Sequence, residues 1–218
     1  MSKSNIHTQY KLKDGTRVPS VTTVLGELAK PALIPWAWNL GVKGIDYRTF
    51  RDDLAEVGSL AHKIILCHLK GDTLDVGDFT PNQVSLAENC FLKYLEWERQ
   101  HKIEPISIEE PMVSESYQYG GTPDFYGMVD GKLTIMDFKT GKAIYPEYFY
   151  QIAAYHQLVN ERYRPVLVDN FRILNIGRDE TENFVEEQRT NLDREFLIFV
   201  HALSIYKLKK QNKENKND

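Results

Sequence analysis

The sequence has little cysteine, no long apolar run, no excess of positive charge and no internal repeat. Each absence narrows what the chain can do. Two cysteines, Cys67 and Cys90, in 218 residues are too few for a four-cysteine zinc or iron–sulfur site. Cys67 falls in an apolar helical run, where a buried free thiol is the ordinary reading. No stretch is apolar and long enough to span a membrane, and no signal or transit peptide is recognisable. A soluble protein of a reducing, cytoplasmic compartment is the expectation. The formal net charge of −4 gives no global basic footprint, so any nucleic-acid binding must come from a local patch. No Walker-type phosphate loop is present, so the chain is not itself a motor. What remains is ordinary globular composition, 42% hydrophobic and 27% charged. The length suits one α/β domain over residues 1–208, with an N-terminal helical embellishment to about residue 50 and a core over about 52–190. Residues 209–218 are a charge run expected to be a disordered tail.

The most informative stretch is GGTPDFYGMVDGKLTIMDFK, residues 120–139. Tyr126–Val129 and Lys132–Phe138 are rich in β-branched, aromatic and aliphatic residues, as strands are. Asp130-Gly131 between them is a strong type I′ hairpin turn. If the turn is centred there, Val129 faces Lys132, and the same register sets Asp124 opposite Asp137. Facing residues have Cβ atoms roughly 4.5–5.5 Å apart. Side chains alternate, so Lys139 shares a face with Asp137. A slip of one residue would part the two acids. The second strand is apolar on both faces, and a buried strand rarely carries an acid and a lysine without purpose. Two facing carboxylates repel unless one stays protonated or a cation sits between them. Carboxylate and water oxygens suit Mg²⁺ or Mn²⁺. Such an ion polarises a phosphoryl oxygen and acidifies a bound water. The lysine would orient or deprotonate that water, or stabilise the charge that develops.

The rest of the chain supplies the surroundings. A small hairpin is expected through Lys13-Asp14-Gly15, then a helix capped by Ser20 or Thr22. Trp36 and Trp38 suit either a platform for stacking bases or sugars or an amphipathic helix that packs its tryptophans into the core; the second is preferred. Residues 52–69 form a helical run despite Gly58, which points to close approach of another backbone or a ligand. His62 lies one residue off its apolar stripe. Thr80-Pro81 opens a further helix to about His101. Residues 103–115 read as an edge strand carrying Glu110. Pro146 opens a helix on which Gln151 and Tyr155 share a face. Two more strands, Pro165–Ile176 and Asn183–Glu187, precede a last helix capped by Thr190 or Asn191.

The ordered set Gly121-Thr-Pro-Asp124, Asp137-Phe-Lys139 and Gln151-x-x-x-Tyr155 resembles the PD-(D/E)XK nuclease superfamily. With Glu56-Val-Gly-Ser-Leu-Ala-His62 upstream and Glu110 before the hairpin, it is most similar to the RecB-like exonuclease branch. The opening PSVTTVLGELAKPALIPWA resembles phage-encoded members and mitochondrial genome maintenance exonucleases. The resemblance covers about residues 55–160. It implies a mixed central β-sheet flanked by helices, as in restriction endonucleases, and metal-dependent hydrolysis of DNA. It implies that His62, Asp124, Asp137 and the Phe138 carbonyl bind Mg²⁺ or Mn²⁺, with Glu110 assisting through water. Lys139 would serve the attacking water, and Gln151 and Tyr155 would position the phosphate. DNA, as single strands or duplex ends, is the implied partner, with a single-strand-binding or recombination protein beside it. The cysteine cluster of some relatives is missing, so no iron–sulfur cluster is expected. A non-cleaving DNA-binding module and a restriction-type endonuclease are the competing readings.

Overall fold

The computed structural model describes residues 8–164 and 167–215. Its centre is a five-stranded sheet in the order β3-β6-β7-β8-β9. The strands are β3 (Ile103–Ile108), β6 (Phe125–Val129), β7 (Lys132–Thr140), β8 (Asn170–Ile176) and β9 (Val185–Arg189). Only β7 and β8 run parallel; the other pairs are antiparallel. A crossover helix, α5 (Pro146–Arg162), joins that parallel pair, as parallel strands require. Two-stranded ribbons flank the sheet: β1 (Tyr10–Lys11) with β2 (Arg17–Val18), and β4 (Met112–Ser114) with β5 (Tyr119–Gly121). Among the described residues no helix is long and apolar enough to cross a membrane.

The register of the β6–β7 hairpin follows its turn. Val129 faces Lys132 and Phe125 faces Met136. Asp130 and Gly131 both take positive φ, 52° and 75°, as a type I′ turn demands. Alternation along β7 then divides its side chains between two cores. Ile135 joins one with α1 (Val21–Leu25), α5 and α6 (Asp193–Glu214). Met136 and Phe138 join the other with α3 (Tyr47–Lys70) and α4 (Pro81–Glu98). Asp137 and Lys139 therefore point to the α5 side.

Local signals explain the helix ends. Ser20 Oγ accepts from Thr23 N at the start of α1. Thr80 and Gln83 form a reciprocal capping box at the start of α4. Gly71, with φ 73°, closes α3 in the left-handed cap position. Gly58 inside α3 has a packing reason. A Cβ there would meet Thr140 Oγ1 at 2.8 Å, so the glycine lets α3 lie against the end of β7.

Several expectations are corrected. The tryptophans are not core. The helix α2 (Leu33–Val42) buries none of its residues; it packs beside α3. Residues 209–214 continue α6 instead of forming a disordered tail; Lys209 Nζ pairs with Glu27, and Lys210 pairs with Glu214 one turn on. Residues 216–218 lie outside the described residues. Glu110 follows the edge strand instead of lying on it, since β3 stops at Ile108 and Glu109 turns the chain with φ 53°. Cys90, not Cys67, is the buried thiol.

The hairpin register is testable through its turn. Gly131→Ala is expected to lower stability by about 1 kcal/mol, since an alanine there must adopt left-handed backbone; urea denaturation measures it.

Candidate active site

The site sits where the two helical layers part, at the carboxyl end of β7. Asp137 is 1% exposed. Lys139 Nζ lies 2.6 Å from its Oδ2. The approach is poorly directed for a hydrogen bond, so Oδ2 has no aligned donor. Oδ1 accepts from Gln151 Nε2 at 3.3 Å. Gln151 also accepts from Lys139 Nζ at 3.0 Å and donates to Tyr155 OH at 2.8 Å. Asp137, Lys139, Gln151 and Tyr155 are thus one connected group. Tyr155 is buried and its hydroxyl accepts from Gln151.

Asp124 stands one residue before β6. Its carbonyl accepts from Glu109 N, while its Oδ2 accepts from Phe138 N at 2.8 Å. The carboxylate is thereby pinned to β7 between Asp137 and the α3 layer. His62 Nδ1 reaches in from α3 to 3.6 Å from the same oxygen. A cleft of about 580 Å³ opens on the His62 side of Asp124, lined by His62, Asp124, Glu109, Thr140 and Arg178 among others; Asp137, Lys139, Gln151 and Tyr155 do not line it. Arg178 is held by Glu182, which accepts from its Nε at 2.8 Å.

Glu110 is not brought to this group. Its carboxylate takes Ser107 Oγ at 2.9 Å, Tyr163 OH, and Arg162 Nε at 3.1 Å. Arg162 and Tyr163 lie at the far end of α5, Arg162 eleven residues beyond Gln151, or about 16 Å of helix. The Tyr163 hydroxyl, more than any other contact, holds the Glu110 carboxyl below its usual range. Glu109 lines the cleft in its place, with Lys70 Nζ at 3.2 Å from its carboxylate. The sequence pairs two adjacent glutamates, and only the turn at Glu109 decides which one faces the cleft. Tyr148 is a second residue that the motif did not mark. Its ring centroid lies 5.1 Å from Lys139 Nζ, a cation–π distance.

The two glycines before the motif are required by close approach. A Cβ on Gly120 would fall 2.3 Å from the Tyr10 ring, and one on Gly121 would fall 2.7 Å from Tyr155. They let the N-terminal hairpin and α5 close on the strand that delivers Asp124.

Burial pushes the Asp137 carboxyl up to about 6; Lys139 pulls it back, and Asp124 pushes it further up. A buried carboxylate with an unaligned oxygen, beside a second acid, suits a bound cation. The donor set of carboxylate oxygens and one imidazole fits Mg²⁺ or Mn²⁺. Among the described residues no three His, Cys, Asp or Glu side chains are already gathered in coordinating geometry.

No protein-family model matches the chain, and no curated protein matches it in sequence. Solved structures do. The fold is similar to that of a protein of Eubacterium rectale provisionally described as an exonuclease, with a TM-score of 0.52 at 13% identity, over 74% of this chain and 69% of that one. An alkaline exonuclease of Laribacter hongkongensis aligns over 91% of this chain and 94% of that one, at 11% identity and a TM-score of 0.38, too low to bear on the fold. The first likeness speaks to architecture: a mixed five-stranded sheet flanked by helices.

The strain at Asp137 is measurable without activity. A carboxyl whose folded pKa exceeds its unfolded value favours folding while protonated. That contribution is complete below about 3.8 and is lost as the pH rises through about 6. Asp137→Asn is therefore expected to raise the melting temperature in EDTA at pH 7, with a gain that grows from pH 4 to 6 and then levels off. Adding Mg²⁺ should stabilise the parent and not the variant; thermal melts with and without the ion check both.

Proposed function

We propose that the chain is a divalent-metal-dependent deoxyribonuclease that hydrolyses phosphodiesters from an end or on single strands, in recombination, repair or phage DNA processing. The carrying observation is the buried Asp137 carboxylate at the end of β7, with one oxygen unaligned, between Asp124 and Lys139. The exonuclease description of the Eubacterium rectale protein supports the same reading. His62, Asp124, Asp137 and the Phe138 carbonyl would hold Mg²⁺ or Mn²⁺, with Glu109 on the cleft wall. When bound, the ion supplies neutralisation of phosphate charge and acidifies water.

The chain's own residues do the rest. Lys139 is held by Gln151 and rests against Tyr148. Its ammonium orients the attacking water or stabilises charge on the phosphorane. Gln151 fixes both Lys139 and Asp137, and Tyr155 fixes Gln151 from beneath. Water attacks in line with the leaving 3′-oxygen, and no covalent enzyme intermediate forms. His62 and Phe138 sit on the α3 side, so α3 controls one wall of the cleft.

A time course on end-labelled single- and double-stranded DNA, with Mg²⁺ or Mn²⁺, tests the reading. Asp137→Ala and Lys139→Ala are each expected to lower cleavage by at least about 10³-fold with the circular dichroism spectrum retained. Gln151→Leu should cost about 10²-fold, and Tyr155→Phe less, because it acts through Gln151. Cleavage by purified Asp137→Ala at the parent rate would overturn the assignment. Loss of linear but not circular DNA would mark an exonuclease, and cutting of circles an endonuclease. Binding without cutting in Mn²⁺ would leave a DNA-binding module.

A further inference from the structure

We propose that Arg178 forms a second phosphate subsite in the cleft, binding the substrate phosphate next to the one that meets Asp124 and Asp137. The choice of a phosphodiester strand as ligand rests on the nuclease reading; the subsite itself rests on how Arg178 is held and which of its donors stay open.

Leu174 and Ile176 of β8 face the core shared with α3 and α4. Arg178, two residues on, lines the cleft with His62, Asp124 and Thr140. It is 8% exposed. Glu182 accepts from its backbone N at 3.1 Å, from Nε at 2.8 Å and from Nη2. A guanidinium carries five N–H donors in a fixed plane, and its Nε–Nη2 edge is here committed to Glu182. Nη1 has no acceptor among the described residues and is not sealed from solvent. The Nη1–Nη2 edge is therefore a second, open fork, and that shape matches two oxygens of one phosphate. Glu182 does not line the cleft; it lines a separate hollow with Lys93 and Trp97.

The loop that carries Arg178 is fixed from behind. Lys93 Nζ donates to the Asp179 and Glu182 carbonyls at 2.6 and 2.9 Å. A Cβ on Gly177 would fall 2.0 Å from the Glu182 carbonyl oxygen, so the two ends of the loop touch. Asp179 Oδ1 accepts from Thr181 N at 2.8 Å. A donor already held in place loses little side-chain freedom on binding.

The cleft is not basic overall. Lys63 and Arg178 stand against Asp124 and Glu109 on its walls, and Glu182 neutralises Arg178. Arg178 offers a directed pair of donors, not a field. Its placement suits a neighbouring phosphate. Asp124 comes just before β6 and Arg178 just after β8, with β7 between them. Two strand spacings are about 10 Å, too far for both to serve one phosphate oxygen. Asp124 belongs both to the acid pair and to the cleft wall, so a strand bound there enters the cleft that Arg178 lines.

Loss of Arg178 alone would leave Glu182 buried and unpaired, so Arg178→Gln is made together with Glu182→Gln. This double variant keeps the net charge of the parent. On an end-labelled oligothymidylate twelve-mer with Mg²⁺ it is expected to lose about 10- to 100-fold in kcat/KM, mostly through KM, with its circular dichroism spectrum retained. In EDTA its Kd for the same twelve-mer should weaken about tenfold. Neutral methylphosphonate linkages, placed one at a time beside the first linkage cut, locate the contact. At one position the parent should lose about what the double variant lost, and the double variant little more, because both partners of one contact are then gone. Arg178→Lys, which keeps the charge and not the fork, should retain only part of the parent's kcat/KM. Lys93→Met, which loosens the loop from behind, should keep the parent's Kd and its full penalty at that linkage.

Equal kcat/KM and Kd for parent and folded double variant would overturn the subsite even if the parent cuts DNA. So would a loss that is the same at every methylphosphonate position, or one that Lys93→Met reproduces in full, since either makes Arg178 a clasp for its loop. A parent that binds the twelve-mer tenfold tighter than the double variant, with Lys93→Met unchanged, yet cuts no DNA in Mg²⁺ or Mn²⁺ would keep the subsite and remove the nuclease reading.

Discussion

The contact on which the rest depends is the close approach of Lys139 to the buried Asp137 carboxylate. An acid taken out of water costs several kcal/mol unless it is paired and hydrogen-bonded. Here the pairing is partial. One oxygen accepts from Gln151, and the other meets an ammonium at a poor angle. Much of the surrounding structure serves to hold this imperfect arrangement. The hairpin turn fixes which face of β7 carries the acid. The helix α5 brings Gln151 and Tyr155 beneath it. The glycine pair at 120–121 allows the N-terminal hairpin and α5 to close around Asp124. Gly58 admits α3, and with it His62, from the other side.

The placement also has a topological cause. The carboxyl ends of β7 and β8, the one parallel pair, lie side by side, with Thr140 facing Ile176. Crevices at such ends are where open α/β sheets bind ligands. The antiparallel neighbour β6 begins near this level, with Phe125 facing Met136, so Asp124 enters from the chain that precedes it. Two helical layers cover the sheet faces and diverge there. Polar groups are then brought together at an edge where burial is deep and access remains.

Much of this was legible in the sequence, and the reasons differ by element. The hairpin was readable because Asp-Gly between two apolar runs has few other solutions, and one register followed from the turn. Capping signals at Ser20, Thr80 and Pro146 were readable for the same local reason. Gly58 announced a close approach, though not that Thr140 would make it. What failed was decided at long range. Glu109 and Glu110 are adjacent and chemically identical; their fates diverge through a turn and through Arg162 and Tyr163, which are distant in sequence. Trp36 and Trp38 look like core residues by type, but α2 lies beside α3 and buries neither. The basic end of α6 reads as a solvated tail until Glu27 is known to lie beside Lys209.

The last pairing has a consequence for how the molecule assembles. The layer over the Asp137 face is built from α1, α5 and α6, and the first and last of these touch. The opposite layer needs only α3 and α4, which are neighbours in sequence. During synthesis from the N-terminus, one side of the sheet can therefore close early, while the other waits for residues beyond 193. The side chains that enclose Asp137 come from α5, while α6 closes the apolar core behind them.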